Sequence, residues 1–116
     1  MNMPLGRQAE AAERRRYRRF RVSLAGRYLL TSGAEYRCRV RDISPHGVAL
    51  TGPVAGRSGE RVIAYVDRIG RLEGTIVRTF PTGFAMMIAA TEYGRDRITA
   101  RIKGIADREV LPEIMS

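Results

Sequence analysis

The chain has 116 residues, 44% of them hydrophobic, which is enough for one compact core and leaves no room for a second domain. Its 21 Lys and Arg against 12 Asp and Glu give a net charge of +9, so anionic partners are expected: nucleic acid, nucleotide or a membrane surface. A single cysteine, Cys38, excludes an internal disulfide, and no apolar run reaches signal-peptide or membrane-spanning length, so the expected location is the reducing cytoplasm.

Residues 1–13, with Pro4, Gly6 and no clear period, are expected to form a flexible leader with at most a helical turn over Gln8–Glu13. Arg14-Arg15-Arg16-Tyr17-Arg18-Arg19-Phe20-Arg21 then puts six arginines into eight positions. Guanidinium groups this close repel one another and are costly to bury, so this arm is predicted to be solvated and mobile until a multiply anionic partner neutralises it. Of all the basic residues only Lys103 is a lysine. Arginine forks onto phosphate and onto the O6/N7 edge of guanine and stacks on planar rings, whereas lysine offers only a point charge.

From Phe20 the period is two. Phe20, Val22 and Leu24 alternate with Arg21 and Ser23, and the strand is extended through Leu30. After a turn over Thr31–Ala34, Tyr36, Cys38 and Val40 form an apolar face opposite Arg37, Arg39 and Arg41. Asp42-Ile43-Ser44-Pro45-His46-Gly47 breaks the strand, because Pro45 cannot donate to a ladder and Gly47 permits positive φ; Val48-Ala49-Leu50 resumes it.

A loop over Gly52–Gly59 leads into Arg61–Asp67, apolar on both faces as a covered strand would be. Two more strands are expected over Leu72–Phe80 and Gly83–Ala89, with Gly74 marking a bulge or a barrel corner. Beyond Ala90 the period becomes helical: Ile98, Ile102, Ile105 and Ala106 share a face, Thr91 suits the N-cap and Pro112 closes off continuation. The expected fold is mostly β, a small antiparallel barrel of about six strands plugged or flanked by one helix. The domain is expected over 14–106, with strands over about 20–89, the helix over about 92–108 and a tail over 107–116.

Catalysis finds little support. Asp42, Ser44 and His46 have the residue types of a triad, yet one tight turn cannot easily place them in hydrogen-bonded series. One His and one Cys are too few for a transition-metal site, and Cys38 on the apolar face reads as a small core residue. No catalytic residue, metal or cofactor is therefore assigned.

The arginine arm and the Asp42–Gly47 turn remain, and together they resemble the PilZ domain family of cyclic di-GMP (c-di-GMP) receptors. The family pairs RxxxR with a later (D/N)xSxxG. Here these read Arg15-Arg16-Tyr17-Arg18-Arg19 and Asp42-Ile43-Ser44-Pro45-His46-Gly47. The resemblance covers roughly Arg14–Ile105. It implies a six-stranded antiparallel barrel with a C-terminal helix that binds the bacterial dinucleotide on its outer face, without enzymatic activity. It also implies that Arg15 and Arg19 grip phosphates and guanine edges, that Asp42 and Ser44 hydrogen-bond guanine, and that Gly47 lets the backbone come close.

Guanine accepts at O6 and N7 and donates from N1 and N2, so a site for it needs both signs of charge. Asp42 would repel a nucleic-acid backbone, which disfavours a nonspecific phosphate-binding arm. Arg14, next to the first motif, is a further candidate that would let the site hold two stacked ligand molecules rather than one. With no output domain in the chain, the ordered arm is expected to signal to a protein partner, by resemblance one in motility or polysaccharide machinery. The rival reading is a small basic β-barrel that binds nucleic acid, disfavoured because such platforms display stacking aromatics and this chain has no Trp, 3 Phe and 5 Tyr.

Overall fold

The structure is a computed structural model that describes residues 19–115, with side chains described through Ile105. Six strands and a helix follow in order: β1 (Phe20–Leu29), β2 (Glu35–Ile43), β3 (Gly47–Thr51), β4 (Arg61–Val66), β5 (Gly70–Phe80), β6 (Gly83–Ile88) and α1 (Glu92–Met115). All ladders are antiparallel, and the sheet closes as β1-β2-β3-β6-β5-β4. The expected mostly-β six-stranded barrel with a C-terminal helix is what the chain forms. The leader and most of the arm, including Arg14 and Arg15, lie outside the described residues.

Alternation fills the barrel. Leu24, Tyr28, Val40, Leu50, Val62, Ala64, Leu72, Ile76, Phe84 and Met86 point inward and are buried. The Tyr28 ring stands edge-on to Phe84 at 5.1 Å. Its hydroxyl donates to the Val54 carbonyl and accepts from the Val54 N–H, so it pins the β3–β4 loop to the core. Burial pushes that phenol above its ordinary pKa of 10.0. Cys38 packs against the same core, and burial pushes its thiol up to about 11, as suits a small core residue.

Two interruptions of the alternation matter more than its continuation. Val40 pairs with Leu50 but Asp42 with Ala49, so β2 carries a bulge at Arg41 and its inside and outside exchange. Ile43 therefore enters the core and Asp42 turns outward. A second bulge lies at Val77, between the pairs Ile76–Met86 and Arg78–Ala85, and leaves Val77 exposed.

Some expectations are corrected. Of the two roles expected for Gly74, bulge or barrel corner, the bulge is excluded because its pairing is in register; a Cβ there would lie 1.9 Å from the Met87 carbonyl oxygen, so glycine is required by the close approach of β5 to β6. β4 is covered on one face only, with Val62, Ala64 and Val66 buried while Ile63 and Tyr65 are half-buried outside. The Arg27 guanidinium lies 5.0 Å from the Tyr65 ring centroid and shelters it in part. The helix runs to Met115, past Pro112, where the sequence predicts a stop. Proline removes one backbone donor from the helix there without ending it.

Thr91 does cap α1, its Oγ1 accepting from the Gly94 N–H at 3.0 Å. Ile102 and Ile105 are buried against the barrel, and Arg101 donates to the Ile69 carbonyl at 2.5 Å. The strand directions place α1 at the same end of the barrel as the start of β1, the β2–β3 turn and the β4–β5 turn. Thus the root of the arginine arm, the Asp42–Gly47 turn and the helix share one end.

Candidate functional site

The β2–β3 turn is organised by Ser44. Its backbone N–H donates to the Gly47 carbonyl at 2.9 Å, and its Oγ accepts from the N–H of His46 at 3.3 Å and of Gly47 at 3.2 Å. Ser44 is buried and its hydroxyl shapes the turn while the residue lines the cleft beside it. The His46 carbonyl accepts from the Ile88 N–H at 2.8 Å, which stitches the turn to β6. Gly47 does not take the positive φ its sequence context permits: among the described residues the positive-φ glycines are Gly33, Gly56, Gly59 and Gly70. What limits its side chain is space, because a Cβ there would stand 3.1 Å from the Met86 carbonyl oxygen.

The bulge at Arg41 sets Asp42 on the outer wall, where Arg19 meets it with Nε 3.5 Å from Oδ2. The two residues sit at the close of one motif and the opening of the other, and β1–β2 pairing brings them together by matching Arg21 to Asp42. Their side chains are 50% and 31% exposed, so the pair contributes little to stability. The other carboxylate oxygen, Oδ1, is buried and has no hydrogen-bond partner among the described residues. A buried acceptor in that condition is costly, and it is suited to a donor supplied from outside.

Beside the turn opens a cleft of about 380 Å³, lined by Arg19, Ser44, His46 and Gly47 on one side and by Val77, Arg78, Ala85 and Met87 among others on the far side. It is therefore cationic at two corners and apolar along its floor. Asp42 is not part of the lining and borders the cleft through Arg19.

Of the residues singled out by sequence, the structure brings Arg19, Asp42, Ser44 and Gly47 to this place, while Arg14 and Arg15 are outside the described residues. Sequence reasoning missed the far side of the cleft, since nothing local announces that the β5 bulge exposes Val77 beside Arg78. It also missed Arg95. From the first turn of α1 this guanidinium donates to the Pro45 carbonyl at 2.7 Å and to the Ile88 and Ala90 carbonyls at 3.4 Å each. It thereby fastens the helix to the turn. A signal was present, because a cation in the first turn opposes the helix dipole and needs another reason to be there.

Among the described residues no cluster of His, Cys, Asp or Glu could hold a metal ion, and no helix is long and apolar enough to cross a membrane. No curated protein matches the chain. Among solved structures, the PilZ domain with c-di-GMP of YcgR from Escherichia coli superposes with a TM-score of 0.66 at 17% identity, covering 89% of this chain and 98% of that one. The PilZ domain of CeSA from a cellulose-synthesising bacterium gives 0.60 at 14% identity, covering 73% of this chain and 93% of that one. The Bacillus subtilis inhibitor of motility MotI/DgrA gives 0.59 at 17% identity, covering 81% of this chain and 52% of that one. At such identities these neighbours establish the fold. A family model for the PilZ domain matches residues 13–103, which spans the whole barrel and both motifs, and the chain belongs to the PilZ domain family.

Proposed function

We propose that this chain is a cytoplasmic c-di-GMP receptor, not an enzyme, and that it binds its ligand over the outer wall beside the β2–β3 turn. The reading rests on one juxtaposition: Arg19 and Asp42, of opposite charge, lie 3.5 Å apart at the edge of the cleft, with Asp42 Oδ1 buried and unsatisfied. Guanine supplies the donors that an aspartate accepts and the acceptors that a guanidinium fills, and the phosphates supply counter-charge for the arm. Arg15 and Arg19 grip phosphate and guanine edges, and Arg14 makes room for a second ligand molecule. Asp42 and Ser44 hydrogen-bond guanine and Gly47 lets the backbone come close, with Ser44 also holding the turn in place.

In this reading the ligand's phosphates gather the arginine arm onto the barrel, and that ordering is the switch. The ordered arm then presents a new surface to a protein partner, with an output in motility or exopolysaccharide control. Two of the related structures support the direction, one being YcgR with c-di-GMP and the other an inhibitor of motility.

Calorimetric titration with c-di-GMP tests the site. Arg19→Ala and Asp42→Ala are each expected to weaken binding roughly tenfold or more, as loss of a hydrogen bond to a charged group implies. GTP is expected to bind far more weakly than c-di-GMP. Unchanged affinity in both variants overturns the site. A ratio of two ligands per chain that falls to one in Arg14→Ala assigns Arg14 its role, and a one-to-one ratio in the wild type removes it.

A further inference from the structure

The outer wall formed by β1 and β2 carries arginines that neither the fold nor the proposed ligand site uses. Arg21, Arg37, Arg39 and Arg41 are all exposed, and among the described residues none has an ion pair. Pairing register makes this worse for stability, because Arg37 sits directly opposite Arg27, a cross-strand like-charge pair. Glu35, on the same wall, is taken by Arg27 at 3.0 Å. Arg27 is also engaged with Tyr65, and Arg37 is left without a counter-charge.

The surroundings of the row are equally specific. Arg39 is flanked across the ladders by Ala25 on one side and Thr51 on the other, so its guanidinium stands clear of its neighbours. The exposed large apolar residues of the described chain, Val54, Val77, Met87 and Tyr93, all lie elsewhere.

We propose that this row is a docking surface for an acidic protein segment, distinct from the c-di-GMP site and not dependent on that assignment. Charge complementarity selects an anion. The rise of a β-strand puts alternate side chains about 6.6–6.8 Å apart, so Arg37 and Arg39 repeat at the interval at which an extended partner presents alternate carboxylates. Arginine forks onto a carboxylate with two parallel hydrogen bonds. Single-stranded nucleic acid would want stacking aromatics on this wall, duplex DNA an element that enters a groove, and a membrane an apolar edge to insert. A ridge of arginines on a closed sheet with small residues on its shoulders offers none of these.

The test compares two labelled probes by fluorescence anisotropy: a peptide of alternating glutamate and threonine, and a DNA duplex of the same total charge. Arg37→Ser/Arg39→Ser is expected to weaken peptide binding roughly tenfold, while Arg61→Ser, on β4 and already paired with Glu73, leaves it unchanged. Binding of c-di-GMP by the double variant stays at the wild-type level, since neither residue lines the cleft. Retained melting temperature shows that the variants are folded. The proposal is overturned if the double variant binds the peptide as the wild type does, if Arg61→Ser loses as much, or if the duplex binds more tightly than the peptide through these same two arginines.

Discussion

The two walls of this barrel treat charge in opposite ways. On the β4–β5 wall, Glu73 receives Arg61 at 2.6 Å and Arg71 at 3.4 Å, so one carboxylate supplies the counter-charge for both cations. On the β1–β2 wall, Arg37 faces Arg27 across the ladder, and Arg21, Arg39 and Arg41 stand without partners among the described residues. The chain thus has the means to pair its arginines, and on the β1–β2 wall it pairs Arg27 with Glu35 and Arg19 with Asp42 but leaves the other four without a carboxylate among the described residues. A surface left with unanswered positive charge next to a cleft is better explained by what it meets than by what it holds together.

The largest expected effect tests whether the paired wall depends on its backbone contacts more than on its charges. Gly74→Ala forces a methyl into the Met87 carbonyl and should cost about 3 kcal/mol or more in chemical denaturation. A loss below about 1 kcal/mol would show that β5 and β6 can separate cheaply. On the other wall stability comes from beneath the surface. Tyr28→Phe keeps the ring and removes both hydrogen bonds to Val54, and should cost about 1–2 kcal/mol, with the β3–β4 loop exchanging its amide hydrogens faster.

Smaller changes address the comparison directly. Arg37→Glu places a carboxylate opposite Arg27 and is expected to stabilise the fold by about 0.2–1 kcal/mol; a destabilised variant would contradict the idea that the unpaired wall is kept at a cost. Glu73→Gln should give the smallest effect, a fall in melting temperature near the limit of measurement. The hydrogen bond from Arg61, with Arg71 beside it, holds the Glu73 carboxyl below its ordinary 4.5. Its contribution is therefore present above pH 4.5 and is lost as the pH falls through the lower folded-state value, so the variant and the wild type should converge in acid. Persistence of the difference at about pH 3 would assign it to something other than ionisation.

Much of this molecule could be read from local pattern, and the failures have identifiable causes. The alternation of Tyr36, Cys38 and Val40 with Arg37 and Arg39 gave β2 its faces, because period two is imposed by the pleat itself. Continued past Val40, the same alternation would turn Asp42 into the core. Only the bulge at Arg41, visible in how Val40 and Asp42 pair with successive residues of β3, sets it outside. Ser44 was legible as part of a motif, but not that its hydroxyl also accepts from the His46 and Gly47 N–H groups and so shapes the turn. Arg95, 50 residues from Pro45 in sequence, could not be linked to that turn by any local rule.

What the sequence by itself determined was the inventory: strand periods, the helix cap at Thr91, the concentration of arginine at one end and the acid-bearing turn, all features written in residues near one another. The tertiary structure decided which of these meet. Barrel closure in the order β1-β2-β3-β6-β5-β4 brings the root of the arm, the turn and the helix to one end. Two bulges choose which side chains face outward there. Both depend on pairing between distant strands, where the energy of closing the sheet outweighs local preference.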